Sequence, residues 1–158
     1  MAKPVKTNAM RWLDQRGIAY QAHQYEGDSR TTGLQVAQRL GENPDQVFKT
    51  LVTQGKSKQY YVFMVPVAAS LNLKAAAEAV DEKAIAMIKE KDLLALTGYV
   101  HGGCSPIGMK KVFPTVLDQS ALSQDQLIFS AGKIGYQIQM AREDFQKVFP
   151  IKIANLID

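Results

Sequence analysis

The sequence predicts an α+β fold: a single domain, residues 1–158, with a mixed, curved and barrel-like β-sheet flanked by helices. Two β-rich runs, Val47–Thr53 and Tyr60–Val65, are joined by the short polar stretch Gln54-Gly55-Lys56-Ser57-Lys58, which is the pattern of a hairpin. A second pair of strand-like runs, Leu127–Ser130 and Tyr136–Met140, flanks the turn Gly132-Lys133-Ile134-Gly135. Single amphipathic stretches with polar caps fall between and around these hairpins, so helices alternate with sheet instead of gathering in a bundle.

In chain order, Thr7 is placed to cap a first helix that carries Met10, Trp12 and Leu13 to about Arg16, with Gly17 ending it in a left-handed turn. Ile18–Tyr25 reads as a strand with Ile18 and Tyr20 on one face and His23 and Tyr25 on the other. His23 has no visible partner in the sequence, and its plain reading is an exposed or satisfied histidine. After the polar Glu26–Arg30 connection, Thr32 can cap a helix over Leu34–Leu40 that Gly41 closes, and Asn43-Pro44-Asp45 turns the chain into the Val47–Thr53 strand. Asn72–Val80 favours helix through its leucine, lysine and alanines. Glu82–Met87 fits strand or helix by pattern, and Lys91–Leu96 is a helix stopped by Gly98. Strand-like residues recur near Thr115–Leu117, and a last helix from about Arg142 to Val148 stops before Pro150, leaving a short apolar tail.

The chain has 158 residues, 46% hydrophobic and 22% charged, which is enough to bury a core without metal or disulfide support. A net charge of +4 allows a polyanionic partner without identifying one. No stretch approaches the roughly eighteen apolar residues of a membrane span, and Met-Ala-Lys-Pro-Val-Lys is not followed by a signal-peptide core. The expectation is a cytoplasmic protein. With one cysteine and two distant histidines, neither a disulfide nor a zinc pattern is present, and no metal or cofactor is expected.

Two features carry chemistry. Lys49 falls on the strand face of Val47 and Leu51, where an ammonium needs water, a carboxylate or an anionic ligand to offset its desolvation. It is either an edge lysine reaching solvent or the binding group of a site. The loop Gly102-Gly103-Cys104-Ser105-Pro106-Ile107-Gly108 is either an ordinary turn or a glycine-lined concavity whose N–H groups stabilise an anion or an attacked carbonyl. Cys104 has no histidine placed to activate it, and Lys110-Lys111 beyond the loop suits an anionic substrate or simply a solvated surface.

The ordered set of motifs resembles the YbaK family of aminoacyl-tRNA deacylases, itself similar to the editing insertion domain of bacterial prolyl-tRNA synthetase. It runs from about Val5 to Ile157 and includes Ala22-His23-Gln24-Tyr25-Glu26, Leu40 through Leu51 with Phe48-Lys49-Thr50-Leu51, Leu71-Asn72-Leu73-Lys74, Leu96–Val100, Gly102–Gly108 and Ser130-Ala131-Gly132-Lys133. The resemblance implies a strand at Glu82–Met87. It implies that Lys49 binds the charged 3′ end of the tRNA, that the Gly102 amide holds the ester carbonyl, and that Tyr25, Thr50, Gly103, Ser105, Pro106 and Ser130 contact substrate. It further implies trans-editing of mischarged tRNA, foremost Cys-tRNA(Pro), beside prolyl-tRNA synthetase. The cysteinyl thiol would attack its own ester, so no protein nucleophile is required. A water-mediated deacylase for alanyl or seryl groups, and a non-catalytic module that binds tRNA or a synthetase, are the alternatives. Where the family commonly reads Gly-Lys-Arg-Gly-Leu-Asp, this chain has Gly132-Lys133-Ile134-Gly135-Tyr136-Gln137, which puts the preferred aminoacyl group in question. Cys104 stands where a branched apolar residue is usual, the position of a spacer.

Overall fold

The computed structural model describes residues 5–158, the side chain of Val148 excepted. Five helices alternate with eight strands among these residues: α1 (Asn8–Gln15), β1 (Gln21–Gln24), α2 (Gly33–Leu40), β2 (Phe48–Gly55), β3 (Tyr60–Pro66), α3 (Leu73–Ala79), β4 (Ile85–Met87), α4 (Glu90–Thr97), β5 (Thr115–Asp118), β6 (Gln126–Ser130), β7 (Tyr136–Ala141), α5 (Arg142–Val148) and β8 (Ile151–Ala154). The helix ends follow from local chemistry. The Thr7 hydroxyl accepts from the Met10 N–H at 3.2 Å, and Thr32 and Gln35 form a reciprocal capping box that starts α2. Gly41 and Gly98, both with positive φ, end α2 and α4.

The strands form two sheets. One has the order β1-β7-β6 and is antiparallel throughout; the other has the order β4-β2-β3-β5-β8, with antiparallel pairs around β2 and parallel pairs at β5. The sheets meet at one parallel bridge, Val47 to Ile128, and among the described residues no further ladder joins their outer edges. The α+β class and both hairpins are as the sequence predicts, and Glu82–Met87 contains a strand that pairs with the far end of β2. Two segments differ. The predicted Ile18–Tyr25 strand is paired only over Gln21–Gln24, with Tyr136–Gln139 of β7; β7 itself continues to Ala141, so it is the earlier chain segment that leaves the ladder before Gln21. The C-terminal apolar tail is itself a strand, β8, lying parallel to β5. That pairing joins segments more than thirty residues apart, so no local turn announces it.

The main core fills the space between the sheets. Phe48, Met64 and Leu117 from the larger sheet meet Leu127, Phe129, Ile138 and Met140 from the smaller one, with Met10 and Leu13 of α1 and Phe145 of α5 closing the ends. The outer face of the larger sheet is covered by α3, where Phe63, Val65 and Val116 pack with Ala76 and Ala77. Near the bridge the outer face is covered by α2, through Ala37 and Leu34 against Val47, Val67 and Ile128. Between these two covered zones the face opens at Lys49.

Candidate functional site

Strand pleating puts Val47, Lys49 and Leu51 outward and Phe48, Thr50 and Val52 inward, and the clusters those neighbours join agree. Lys49 lies across from Val65 and is half-buried between the parts of the sheet beneath α2 and α3. Among the described residues it has no hydrogen-bond or ion-pair partner, and burial holds its ammonium below the ordinary lysine value. The lysine inferred from the pattern thus stands half-buried with no protein partner among the described residues.

The bridge at Val47 and Ile128 is parallel, so Lys49 stands two residues beyond it as Ser130 does on β6. Ser130 is paired with Gln137 on β7, and Gln137 with His23 on β1. Directly opposed residues share a face. One polar row therefore crosses four strands on the outer side: Lys49, Ser130, Gln137 and His23, with Tyr25 two residues past His23 on the same face. The ordering is internally tied. The Ser130 hydroxyl accepts from the Gly132 N–H at 3.1 Å, the Tyr25 N–H donates to the Gly135 carbonyl at 2.8 Å, and His23 Nε2 lies 2.8 Å from Gln139 Oε1.

The glycine loop is pressed against the turn between β6 and β7. A Cβ on Gly103 would sit 2.9 Å from the Ile134 backbone nitrogen, a distance that admits no side chain, and Gly102 has a φ of +86°. The Gly103 N–H is engaged by the Val100 carbonyl at 3.0 Å, whereas the exposed Gly102 N–H makes no bond to another described residue. Of the loop's predicted contacts, Gly102 is therefore the one with a donor to offer. Ser105 and Pro106 are buried on the loop's underside, where the Ser105 hydroxyl accepts from the Ile107 N–H at 3.3 Å. There they brace the loop. The Tyr99 hydroxyl, donating to the Ile107 carbonyl at 2.5 Å, and Asn8, donating to the Gly108 carbonyl at 2.7 Å, tie its far end to α1. Neither Tyr99 nor Asn8 was marked by any local pattern, because each acts across about a hundred residues of sequence or through a backbone carbonyl.

Thr50 faces inward, away from Lys49, and its hydroxyl is buried without a partner among the described residues. Cys104 packs against the cluster of Val52, Val62 and Leu93. Burial pushes its thiol up to about 12, with a Thr97 hydrogen bond acting in the opposite direction, so the sulfur stays protonated and is no nucleophile at neutral pH. The spacer role fits this environment. Among the described residues no cluster of His, Cys, Asp or Glu could hold a metal, and no helix is long and apolar enough to cross a membrane.

The comparisons with known proteins point one way. Residues 28–148 match the family described as the aminoacyl-tRNA editing domain. A protein of Enterococcus faecalis (strain ATCC 700802 / V583), named as a Cys-tRNA(Pro)/Cys-tRNA(Cys) deacylase, EbsC, is 43% identical over 139 residues, 87% of this chain and 85% of that protein. Among solved structures, one described as a trans-editing enzyme for prolyl tRNA synthetase superposes with a TM-score of 0.84 at 22% identity, over 96% of this chain and 95% of that one. A hypothetical protein superposes with a TM-score of 0.86 at 18% identity, over 96% and 99% of the two chains; at such identities the likeness is one of fold. With the family matched over most of its length, the chain belongs to the aminoacyl-tRNA editing domain family.

Proposed function

We propose that this protein is a trans-acting deacylase of mischarged aminoacyl-tRNA, with Cys-tRNA(Pro) as its foremost substrate. The observation that carries this reading is Lys49, a half-buried ammonium with no anionic partner among the described residues, two residues past the bridge that aligns β2 with Ser130. An anionic ligand removes the cost of that arrangement, and the 3′ end of tRNA supplies one. Lys49 binds the terminal nucleotide, and Tyr25 and Ser130 line the space for the aminoacyl group. The Gly102 N–H takes the ester carbonyl oxygen as negative charge develops on it. Thr50, Gly103, Ser105 and Pro106 hold this surface in shape from below. The two sheets act together as one barrel-like wrap, opened where the ligand enters.

With no activated nucleophile among the described residues, the substrate provides its own. The cysteinyl sulfur attacks the carbonyl carbon, a C–S bond forms as the C–O bond to the ribose breaks, and the thiol proton passes to the departing ribose oxygen. A thiolactone leaves, and the protein contributes orientation and electrostatic support. The enzyme works in the cytoplasm beside prolyl-tRNA synthetase, whose grip on the tRNA provides the selectivity that a domain of this size lacks.

The test is deacylation of Cys-tRNA(Pro) and Ala-tRNA(Pro) by the wild type and Lys49→Ala. The wild type is expected to prefer the cysteinyl substrate, and loss of a charge-assisted contact is expected to cut kcat/KM by about 10–100-fold. Equal rates for both proteins would remove Lys49 from the mechanism, and failure to hydrolyse either substrate would remove the activity. Free cysteine in place of thiolactone as the first product would assign the attack to water.

A further inference from the structure

Glu42 is a carboxylate that reaches the polar row. It follows Gly41 at the end of α2 and is half-buried. With the Gln137 amide in the orientation that satisfies its surroundings, its nitrogen donates to both Glu42 oxygens, at 2.7 and 3.2 Å. Gln137 is only 5% exposed and lies directly opposite Ser130 on one side and His23 on the other. The carboxylate is thus pinned above the middle of the row by a neutral group that is itself immobile. Among the described residues no lysine or arginine lies within ion-pair distance of it; the two ion pairs, Lys6 with Asp14 and Arg30 with Asp28, are elsewhere.

A fixed, partly desolvated carboxylate without a lysine or arginine partner among the described residues, above the middle of the row, is the counterpart of Lys49 at its end, which has no anionic partner among them. A neutral anchor such as Gln137 orients a carboxylate without neutralising it, so the charge remains available to a ligand. Burial accordingly raises the Glu42 pKa, against smaller opposing effects of the Gln137 hydrogen bond and of His23. A ligand that meets both groups must carry an anion and a cation within one small end of the molecule. The 3′ end of an aminoacyl-tRNA does: a nucleotide phosphate, and the α-ammonium of the esterified amino acid.

We propose that Glu42, held by Gln137, binds the α-ammonium group of the aminoacyl moiety and so makes a free α-amine a requirement for recognition. Resting on the deacylase reading, this assigns a binding group to a residue outside the glycine loop and the Lys49 strand. It also gives the side chain at position 137 a role as a positioning residue, acting through Glu42. The consequence is selectivity by charge as well as by side chain: an N-blocked aminoacyl-tRNA, with no ammonium to offer, leaves the carboxylate desolvated and unpaired.

Two readouts test it. The first is calorimetric binding of an amide-linked, non-hydrolysable cysteinyl-adenosine 5′-phosphate and of its N-acetyl form to the wild type and to Glu42→Gln, which keeps shape and neutralises charge. The wild type is expected to prefer the free amine by about tenfold or more, and Glu42→Gln to lose that preference while binding the N-acetyl form as the wild type does. A preference retained by Glu42→Gln, no preference in the wild type, or no binding of the analogue overturns the proposal. The second readout is deacylation of Cys-tRNA(Pro) and N-acetyl-Cys-tRNA(Pro). A wild type that shows the Glu42-dependent binding preference yet leaves the tRNA charged would sink the deacylase reading and leave the ammonium site standing. A wild type that deacylates both forms equally would do the reverse.

Discussion

Lys49 is surrounded by Val47, Leu51 and the opposing Val65, and the sign of its shift determines what pH does. Its pKa in the folded chain lies below the ordinary 10.5 because burial penalises the ammonium. In the free protein that penalty costs stability while the lysine is charged, and the cost is relieved as pH rises through the lowered pKa towards the unfolded value. Anion binding runs the other way, since it needs the charged form. Affinity for the N-acetyl form of the cysteinyl-adenosine phosphate, which has no α-amine to titrate, is therefore expected to fall on the alkaline side with a midpoint below 10.5, with proton uptake on binding in that range. Lys49→Arg, which stays charged, is expected to abolish that limb of a calorimetric titration; an unchanged limb in the variant would exclude Lys49 as its source. At this scale the sequence singled out Lys49 among apolar neighbours and the paired glycines beginning at Gly102. It was uninformative for Glu42, because an acidic residue after a helix looks like any solvated turn until the strand carrying Gln137 is placed against it.

The position of Glu42 depends on α2. Thr32 accepts from the Gln35 N–H at 3.1 Å and the Gln35 side chain accepts from the Thr32 N–H at 2.9 Å, so both ends of the first turn are closed. The other end turns at Gly41, φ +67°, which delivers Glu42 to the sheet. Thr32→Ala is expected to cost about 1 kcal/mol in urea unfolding. No measurable change would mean that burial of Val36 and Ala37 alone holds the helix. Caps, glycine stops and hairpins were readable because each is set by residues within a few positions. The pairing of Tyr25 and the length of β1 were not, because they depend on contacts with β7 and its preceding turn, more than a hundred residues away.

The C-terminus shows what the whole molecule contributes. Asp118, at the end of β5 and 1% exposed, accepts from the Leu156 N–H at 2.8 Å and the Ser120 N–H at 3.1 Å, while the Leu156 carbonyl accepts from the Asn72 N–H at 2.7 Å. Leu156 is fully buried against the α3 side of the larger sheet. The tail thus locks β8, β5 and the start of α3 together, far from the polar row. Leu156→Ala is expected to cost about 2–5 kcal/mol, read by chemical denaturation, while the folded variant keeps wild-type affinity for the cysteinyl-adenosine phosphate. A matching loss of affinity would show that the two regions are coupled.

By itself the sequence determined the α+β class, the two hairpins, the capped helices and the unusual lysine among apolar neighbours, since periodicity, turn chemistry and burial cost are all local properties of the chain. Its whole-length pattern also carried the family. Only the tertiary structure decided that Lys49, Ser130, Gln137 and His23 form one row, that Glu42 is pinned above it, that Thr50, Ser105 and Pro106 lie beneath the surface, and that the tail is a strand. Those facts follow from a parallel bridge and from ladders between distant segments, and register between such segments is set by packing of both partners at once.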